Sequence, residues 1–209
     1  NGATFGPSFS FFGLAAGNYN VVVSDAAGCT ITQVVTVNQP AVLTATTSST
    51  PTLCNGVCDG TITVNASGGT APYLYSPNNG TTFQVGSVIS NICAGTHNVQ
   101  VKDNNGCLFN TTQSVTEPTA VSATVATVNS TCGLPNGSLT VTANGGTPTY
   151  QFSITGAPGL QASNNFGSLS ANTYNILVHD VNGCPFTTTA TINNDASPTI
   201  NFALPTHAL

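Results

Sequence analysis

The chain has 209 residues, of which 3% are charged, and its formal net charge of −5 includes a single basic residue, Lys102. Average soluble domains carry about 25% charged residues, and several lysines or arginines are needed to neutralise phosphates. Nucleic acid is therefore not expected as a partner, and anionic membrane surfaces are poor partners. No apolar run approaches the roughly 18 residues that a membrane span requires, which argues against membrane insertion.

One segment occurs three times and closes each time with Asp-x-x-Gly-Cys. The closing cysteines, Cys29, Cys107 and Cys184, are 78 and 77 residues apart. A second segment has the same period and begins with an opening cysteine, Cys54 or Cys132. A fixed period of this length is typical of a tandem array of small domains.

The period divides the chain into four parts. We predict that residues 1–39 are the C-terminal half of a repeat, that 40–117 and 118–197 are complete repeats, and that 198–209 form the first strand of a further repeat. The sequence is therefore expected to be part of a longer array. The alternative is a subunit whose incomplete ends complete each other between molecules by strand donation.

Strand patterns dominate, and helix patterns are almost absent. Short segments rich in Val, Thr, Ile, Tyr and Phe are separated by Gly, Pro and Asn. In chain order they predict strands at 19–24, 30–37, 42–47, 61–66, 73–76, 97–102, 108–115, 121–128, 138–143, 150–154, 174–179 and 186–192. Six or seven short strands per unit predict an all-β fold of tandem immunoglobulin-like antiparallel β-sandwiches, disulfide-stapled, with about 78 residues per repeat.

The strand before each closing cysteine alternates between an apolar and a polar face. Val99 and Val101 share one face in the first complete repeat, and Ile176 and Val178 share it in the second. This period of two predicts a half-buried antiparallel strand. The Asp-x-x-Gly step that follows predicts a hairpin turn, in which Asp bonds the backbone ahead and Gly takes a positive φ. The predicted turn residues are Asp25, Gly28, Asp103, Gly106, Asp180 and Gly183.

Seven cysteines at positions locked to the repeat indicate an oxidising compartment. We predict three bridges, each within one repeat, and leave crossed pairings open: Cys54–Cys107, Cys132–Cys184 and Cys58–Cys93. Cys29 is expected to be unpaired within this sequence. Zinc is the rival interpretation of Cys54 and Cys58, but a second pair of ligands close by is missing.

The sequence contains few candidates for catalysis or metal binding. His97 replaces a tyrosine at a predicted core-facing position and is interpreted as a packing residue, His179 lies on the opposite strand face, and His207 lies in the tail. Six acidic residues in the whole chain are too few for one calcium site per repeat, because such a site takes six to eight oxygen ligands. We therefore predict no enzyme, no cofactor and no metal.

Several motifs in fixed order resemble a known family. They are Cys-Asn-Gly at 54–56, Gly-Gly-Thr-Ala-Pro-Tyr at 68–73, Leu-Ala-Ala-Gly-Asn-Tyr at 14–19 and the Asp-x-x-Gly-Cys close. Together they resemble the SprB repeat of Bacteroidota surface proteins. The resemblance implies very long cell-surface adhesins, some of them moved along the cell in gliding motility and exported by the type IX secretion system. Cys58 and Cys93 depart from the usual pattern.

Three functions are compatible with these patterns. The first is a non-enzymatic, extracellular repeat region of a surface adhesin or stalk, whose partners are the neighbouring repeats. The second is a subunit of a self-assembling filament or sheath, because low charge removes repulsion between copies. The third is a carbohydrate-binding module for surface glycans, although the aromatic residues fall mostly on predicted core positions.

Overall fold

The computed structural model describes residues 10–198, which form an all-β structure as the sequence predicts. No helix in this range is long and apolar enough to cross a membrane. The strands, in chain order, are β1 (Gly17–Ser24), β2 (Thr30–Val37), β3 (Thr44–Thr50), β4 (Gly60–Ser67), β5 (Leu74–Ser76), β6 (Val88–Ile92), β7 (Gly95–Lys102), β8 (Leu108–Val115), β9 (Ser122–Val128), β10 (Ser130–Thr131), β11 (Gly137–Asn144), β12 (Gln151–Ile154), β13 (Asn165–Leu169), β14 (Asn172–His179), β15 (Pro185–Ile192) and β16 (Asn194–Asp195).

Strands β3 to β8 form a sandwich of two antiparallel three-stranded sheets. One sheet has the order β3-β4-β6 and the other β5-β7-β8. In immunoglobulin terms these are strands A-B-E and C-F-G, the constant-type arrangement without strand D. The sheets face each other, because Ile62 and Val64 of β4 share one core with Val99 and Val101 of β7.

Strands β9 and β11 to β15 repeat this architecture. Their sheets have the orders β9-β11-β13 and β12-β14-β15. Leu139 and Val141 of β11 pack with Ile176 and Val178 of β14 in a second core, and each of the four is at most 1% exposed. The two sandwiches therefore have separate cores, while the repeat boundaries at 40, 118 and 198 remain a prediction.

The strand patterns missed one strand of each sandwich, at the same position in both. Strands β6 and β13 pair with β4 and β11 across a register shift next to Gly60 and Gly137. Both strands are short and partly polar, and each bears one residue with a positive φ, Asn91 or Ser168. Their alternation is therefore interrupted, which hides them from a search for period two.

The hairpin of β1 and β2 pairs in register from Gly17 with Val37 to Ser24 with Thr30. Most of its side chains are exposed, including Val23 at 60% and Ile31 at 70%. Its turn is the same as the turns between β7 and β8 and between β14 and β15. The three hairpins thus share one local structure, whether or not a second sheet covers their apolar face.

Candidate functional site

The carboxylate of each turn aspartate joins the two sequence motifs of its repeat. Asp103 Oδ1 accepts hydrogen bonds from the N–H groups of Asn105 and Cys107, at 2.9 and 2.8 Å. Its Oδ2 accepts the N–H of Thr70 at 2.9 Å, and Thr70 lies 33 residues earlier in the Gly-Gly-Thr motif. The sequence predicts a bond from the backbone ahead, and the additional link to the front half of the repeat is a finding of the structure.

The second repeat has the same arrangement around Asp180. Its Oδ1 accepts the N–H groups of Asn182 and Cys184 at 3.0 and 2.9 Å, and its Oδ2 accepts that of Thr147 at 2.8 Å. The neighbouring Gly146 has a φ of 59°, and a Cβ there would lie 2.6 Å from Asp180 Oδ2. Glycine is therefore required for the carboxylate to reach the backbone.

The hydrogen bonds around these aspartates also set their acidity. Burial raises the pKa of Asp103 and Asp180, but the backbone N–H donors outweigh it, so both pKa values lie below the ordinary value of 3.8. Both carboxylates are therefore ionised and fully engaged with donors at neutral pH. They are structural anchors rather than free ligands for a cation.

The turns themselves are built as predicted from the Asp-x-x-Gly step. In each, the Gly N–H donates to the aspartate carbonyl, at 3.1 Å in the first and 3.0 Å in the other two. The glycines Gly28, Gly106 and Gly183 have φ values of 83°, 85° and 82°. At Asp25 the described donors to the carboxylate both belong to the turn and are the N–H groups of Ala27 and Cys29.

A disulfide bond joins the two sandwiches. Cys54, the opening cysteine of the first complete repeat, is bonded to Cys184, the closing cysteine of the second, across 130 residues. The two Cα atoms are 5.6 Å apart, within the usual range for a disulfide. We call this bond the inter-repeat bridge.

The predicted pairs Cys54–Cys107 and Cys132–Cys184 are therefore wrong. Cys54 lies beside the end of β8, where the N–H of Thr52 donates to the carbonyl of Thr116 at 3.0 Å, whereas Cys107 lies just before β8 begins. The eight residues of β8 span about 26 Å. The opening and closing cysteines of one repeat thus lie at opposite ends of the sandwich, too far apart to bond.

The same separation holds in the second repeat. Cys132 follows Ser130, whose N–H donates to the carbonyl of Asn193 beyond the end of β15, while Cys184 precedes that strand. When consecutive repeats are arranged end to end, the opening cysteine of one repeat lies next to the closing cysteine of the following repeat. The repeat period alone cannot distinguish pairing within one repeat from pairing between neighbouring repeats, because both are consistent with it.

Polar contacts surround the inter-repeat bridge. The side-chain amide of Asn182 donates to the carbonyl of Leu53 at 3.2 Å, and Cys184 Sγ lies 3.4 Å from the same oxygen. Cys184 is only 5% exposed, and Cys54 packs against the core of the second repeat. The bridge therefore lies within a packed contact between the repeats.

The opening loop is also tied to the linker between the repeats. The N–H of Gly56 donates to Glu117 Oε2 at 2.7 Å, and the side-chain amide of Asn55 donates to the carbonyl of Pro118 at 3.1 Å. Within the loop, the N–H of Leu53 donates to Asp59 Oδ1 at 3.0 Å. These bonds fix the position of Cys54 relative to the chain that enters the second repeat.

The remaining cysteines divide into one bonded pair and three thiols. Cys58 and Cys93 form the predicted second bridge within the first complete repeat. Cys29, Cys107 and Cys132 carry free, exposed thiols. Cys54 and Cys58 belong to different disulfides, which rules out the zinc site considered for them.

Two tyrosines and one histidine make the same local contact at equivalent positions of the three hairpins. Tyr19 and Tyr174 donate their hydroxyls to the carbonyl four residues earlier, at 2.8 and 2.9 Å. His97 occupies the same position, and its Nε2 lies 2.9 Å from the carbonyl oxygen of Cys93. His97 is half-buried and replaces the tyrosine in this contact, His179 is half-buried in β14, and His207 lies outside the described residues.

The described residues contain no group of three or more His, Cys, Asp or Glu side chains that could hold a metal ion. A shallow, open depression on the outer face of the sheet β12-β14-β15 is lined by Ser153, Thr155, Asn175, Thr187 and Thr189. It contains neither a nucleophile–base pair nor an aromatic side chain. The inter-repeat contact is therefore the most distinctive feature of residues 10–198.

Comparison with known families agrees with the repeat motifs. The sequence model of the SprB repeat matches residues 46–82 and 124–159. The family model thus matches one segment in each of the two sandwiches. Each match runs from the first strand of a sandwich through the opening cysteine and the Gly-Gly-Thr motif. SprB repeats are a structural family of surface proteins rather than an enzyme family. No curated protein gives a significant match to the chain.

Proposed function

We propose that this chain is a non-enzymatic, extracellular stalk region of a large bacterial surface adhesin, which gives reach and attachment to surfaces, including the surface movement of gliding cells. The inter-repeat bridge carries the proposal. It connects Cys54 to Cys184 and so prevents the two sandwiches from separating even when their noncovalent contacts open. In a stalk under tension, such a second covalent link keeps neighbouring domains in contact instead of leaving them held by the linker alone.

The composition supports the same function. Disulfides persist in oxidising compartments outside the cytoplasm, and the described chain has two of them. A stacked array of small domains is suited to reach, because each repeat contacts only its neighbours. The SprB family adds the cell surface as the place where such arrays occur.

Antibody labelling of intact bacteria tests the location and role. An antibody against residues 40–197 should label intact cells without permeabilisation, and its Fab fragment should reduce attachment of those cells to glass. A Fab against an unrelated surface protein is the control. Labelling that requires permeabilisation, or unchanged attachment with saturating Fab, would contradict the proposal.

A filament subunit is a second candidate, favoured by the exposed apolar residues of the β1–β2 hairpin. Ile31 and Val34 are 70% and 56% exposed, and the low charge gives little repulsion between copies. Sedimentation velocity distinguishes the two candidates. A stalk region stays monomeric at micromolar concentration, whereas a filament subunit gives a growing series of larger species that the variant Ile31→Ser reduces.

A further inference from the structure

The inter-repeat bridge uses one opening cysteine and one closing cysteine, and three other cysteines of these two kinds have free thiols. It joins an opening cysteine to the closing cysteine of the next repeat in the chain. The free thiols are another opening cysteine, Cys132, and two further closing cysteines, Cys107 and Cys29. Each free cysteine therefore occupies the repeat position of a cysteine that is bonded elsewhere in the same molecule.

The opening loop at Cys132 has the anchors that position Cys54. The N–H of Ser130 donates to the carbonyl of Asn193 at 3.0 Å, and the N–H of Thr131 donates to Asn136 Oδ1 at 2.8 Å. These match the bonds of Thr52 and Leu53 in the first repeat. The loop is one residue shorter, yet both anchors that flank the cysteine are retained.

The turn at Cys107 likewise has the structure that receives the bridge at Cys184. Asp103 bonds the N–H of Cys107, and the side-chain amide of Asn105 donates to Thr70 Oγ1 at 2.9 Å. Asn182 makes the corresponding bond to Thr147 and also contacts the preceding repeat. Cys107 is exposed whereas Cys184 is buried, because only Cys184 is covered by an opening loop.

We propose that the inter-repeat bridge recurs at every junction of the array, so that each opening cysteine bonds the closing cysteine of the next repeat of the same polypeptide. Cys132 accepts the closing cysteine of a following SprB repeat, and Cys107 accepts the opening cysteine of a preceding one. Each bond forms from two thiols, which lose two protons and two electrons to a disulfide donor that is itself reduced to two thiols. The donor is an extracytoplasmic thiol–disulfide oxidant.

If the inter-repeat bridge recurs, successive bridges overlap along the chain, which bridges within single repeats cannot do. The observed bridge spans 130 residues, more than the 77 to 78 residues between equivalent cysteines. Successive bridges therefore overlap, and residues 132–184 lie inside two of them. Every part of such an array is enclosed by at least one bridge, and two covalent paths run side by side along it. This covalent assembly does not depend on what the protein attaches to.

The test lengthens the whole chain by one repeat. A second copy of residues 118–197 is inserted between Ser197 and Pro198, and the oxidised protein is alkylated without reduction and mapped by mass spectrometry. Trypsin cuts only after Lys102, so a protease of other specificity is used. We expect Cys132 to be bonded to the closing cysteine of the added copy, whereas it is alkylated in the original chain.

Counting thiols gives a second readout. The original chain has three free thiols, and the insertion adds two cysteines. The extended chain should again have three free thiols, because the opening cysteine of the copy replaces Cys132 as the free end. Changing the closing cysteine of the copy to serine should return Cys132 to the alkylated form and leave Cys54–Cys184 intact.

A mirrored variant covers the case in which the added copy does not fold. A copy of residues 40–117 is inserted between Gln39 and Pro40, and its opening cysteine should bond the native Cys107. A bond of Cys132 to the native Cys184, five free thiols, or bonds between separate molecules in either folded variant would overturn the proposal.

Discussion

At the scale of single residues, the turn aspartate is the most informative side chain. Asp180 bonds two N–H groups in its own turn and a third in the Gly-Gly-Thr motif of the same repeat. It therefore holds together two segments that are far apart in sequence. The glycine at 146 is explained by the same contact, since any Cβ there would displace the carboxylate.

Replacing Asp180 by asparagine should destabilise the second repeat by about 1–3 kcal/mol, because one carboxylate oxygen is lost as an acceptor of buried N–H groups. The folded-state pKa of Asp180 lies below the ordinary 3.8. Its contribution to the free energy of unfolding is therefore fully present above the pKa of the unfolded state. That contribution is lost as the pH falls through the lower pKa of the folded state. Thermal unfolding measured at a series of pH values from 7 to 2 should show the largest difference in unfolding midpoint between the original protein and the Asp180→Asn variant at neutral pH.

Asp195→Asn is the matched control, since Asp195 is exposed, the substitution removes the same charge, and the amide oxygen of asparagine can still accept from the side chain of Asn129. It should leave the unfolding midpoint within the range of ordinary surface changes, about 0.5 kcal/mol. Equal destabilisation by both variants would show that net charge, rather than the hydrogen bonds of Asp180, matters.

At the scale of elements, the start of the second strand in each sandwich is closely packed against its neighbours. Gly60 begins β4 and Gly137 begins β11, both beside a register shift to the neighbouring strand. A Cβ at Gly137 would lie 2.8 Å from Ile192 Cγ2 and 3.0 Å from the carbonyl oxygens of Leu169 and Val128. The glycine thus lets β9, β13 and β15 approach one end of β11.

The substitution Gly137→Ala should therefore destabilise the second repeat by about 1–3 kcal/mol through overpacking. Gly167→Ala in β13 is the matched control, because a Cβ there meets nothing within 4 Å. Urea unfolding should show a lower midpoint for the first variant and little change for the second. A similar loss in both would indicate a general cost of replacing glycine in these strands.

At the scale of the whole molecule, the inter-repeat bridge determines how the chain responds to force. Pulling on the two ends cannot extend residues 55–183 while Cys54 and Cys184 remain bonded. The Cys58–Cys93 bond lies inside this segment and closes a much shorter loop of 35 residues. The parts of both sandwiches that lie between these two cysteines can lose their packing under load without adding length to the chain.

Single-molecule pulling should measure the length of chain that the bridge prevents from extending. The 130 residues enclosed by the bridge correspond to about 430–470 Å of extended chain. That full extension should appear only after reduction. The variant Cys54→Ser should release about 310–340 Å, because the Cys58–Cys93 bond still closes 35 residues. The double variant Cys58→Ser and Cys93→Ser is the control and should leave the length locked. Full extension of the oxidised protein would show that the bridge does not form.

The sequence by itself determined the period, the strand-rich fold and the hairpin turns, because these depend on local alternation and on the conformational preferences of Asp and Gly. Val99, Val101, Ile176 and Val178 are buried as their alternation predicts. Strands β6 and β13 escaped prediction since their register shifts interrupt the pattern. Only the tertiary structure decided which opening cysteine bonds which closing cysteine. Repeat spacing is equally satisfied within a repeat and between repeats, whereas the length of β8 and β15 places the two cysteines of one repeat at opposite ends of its sandwich.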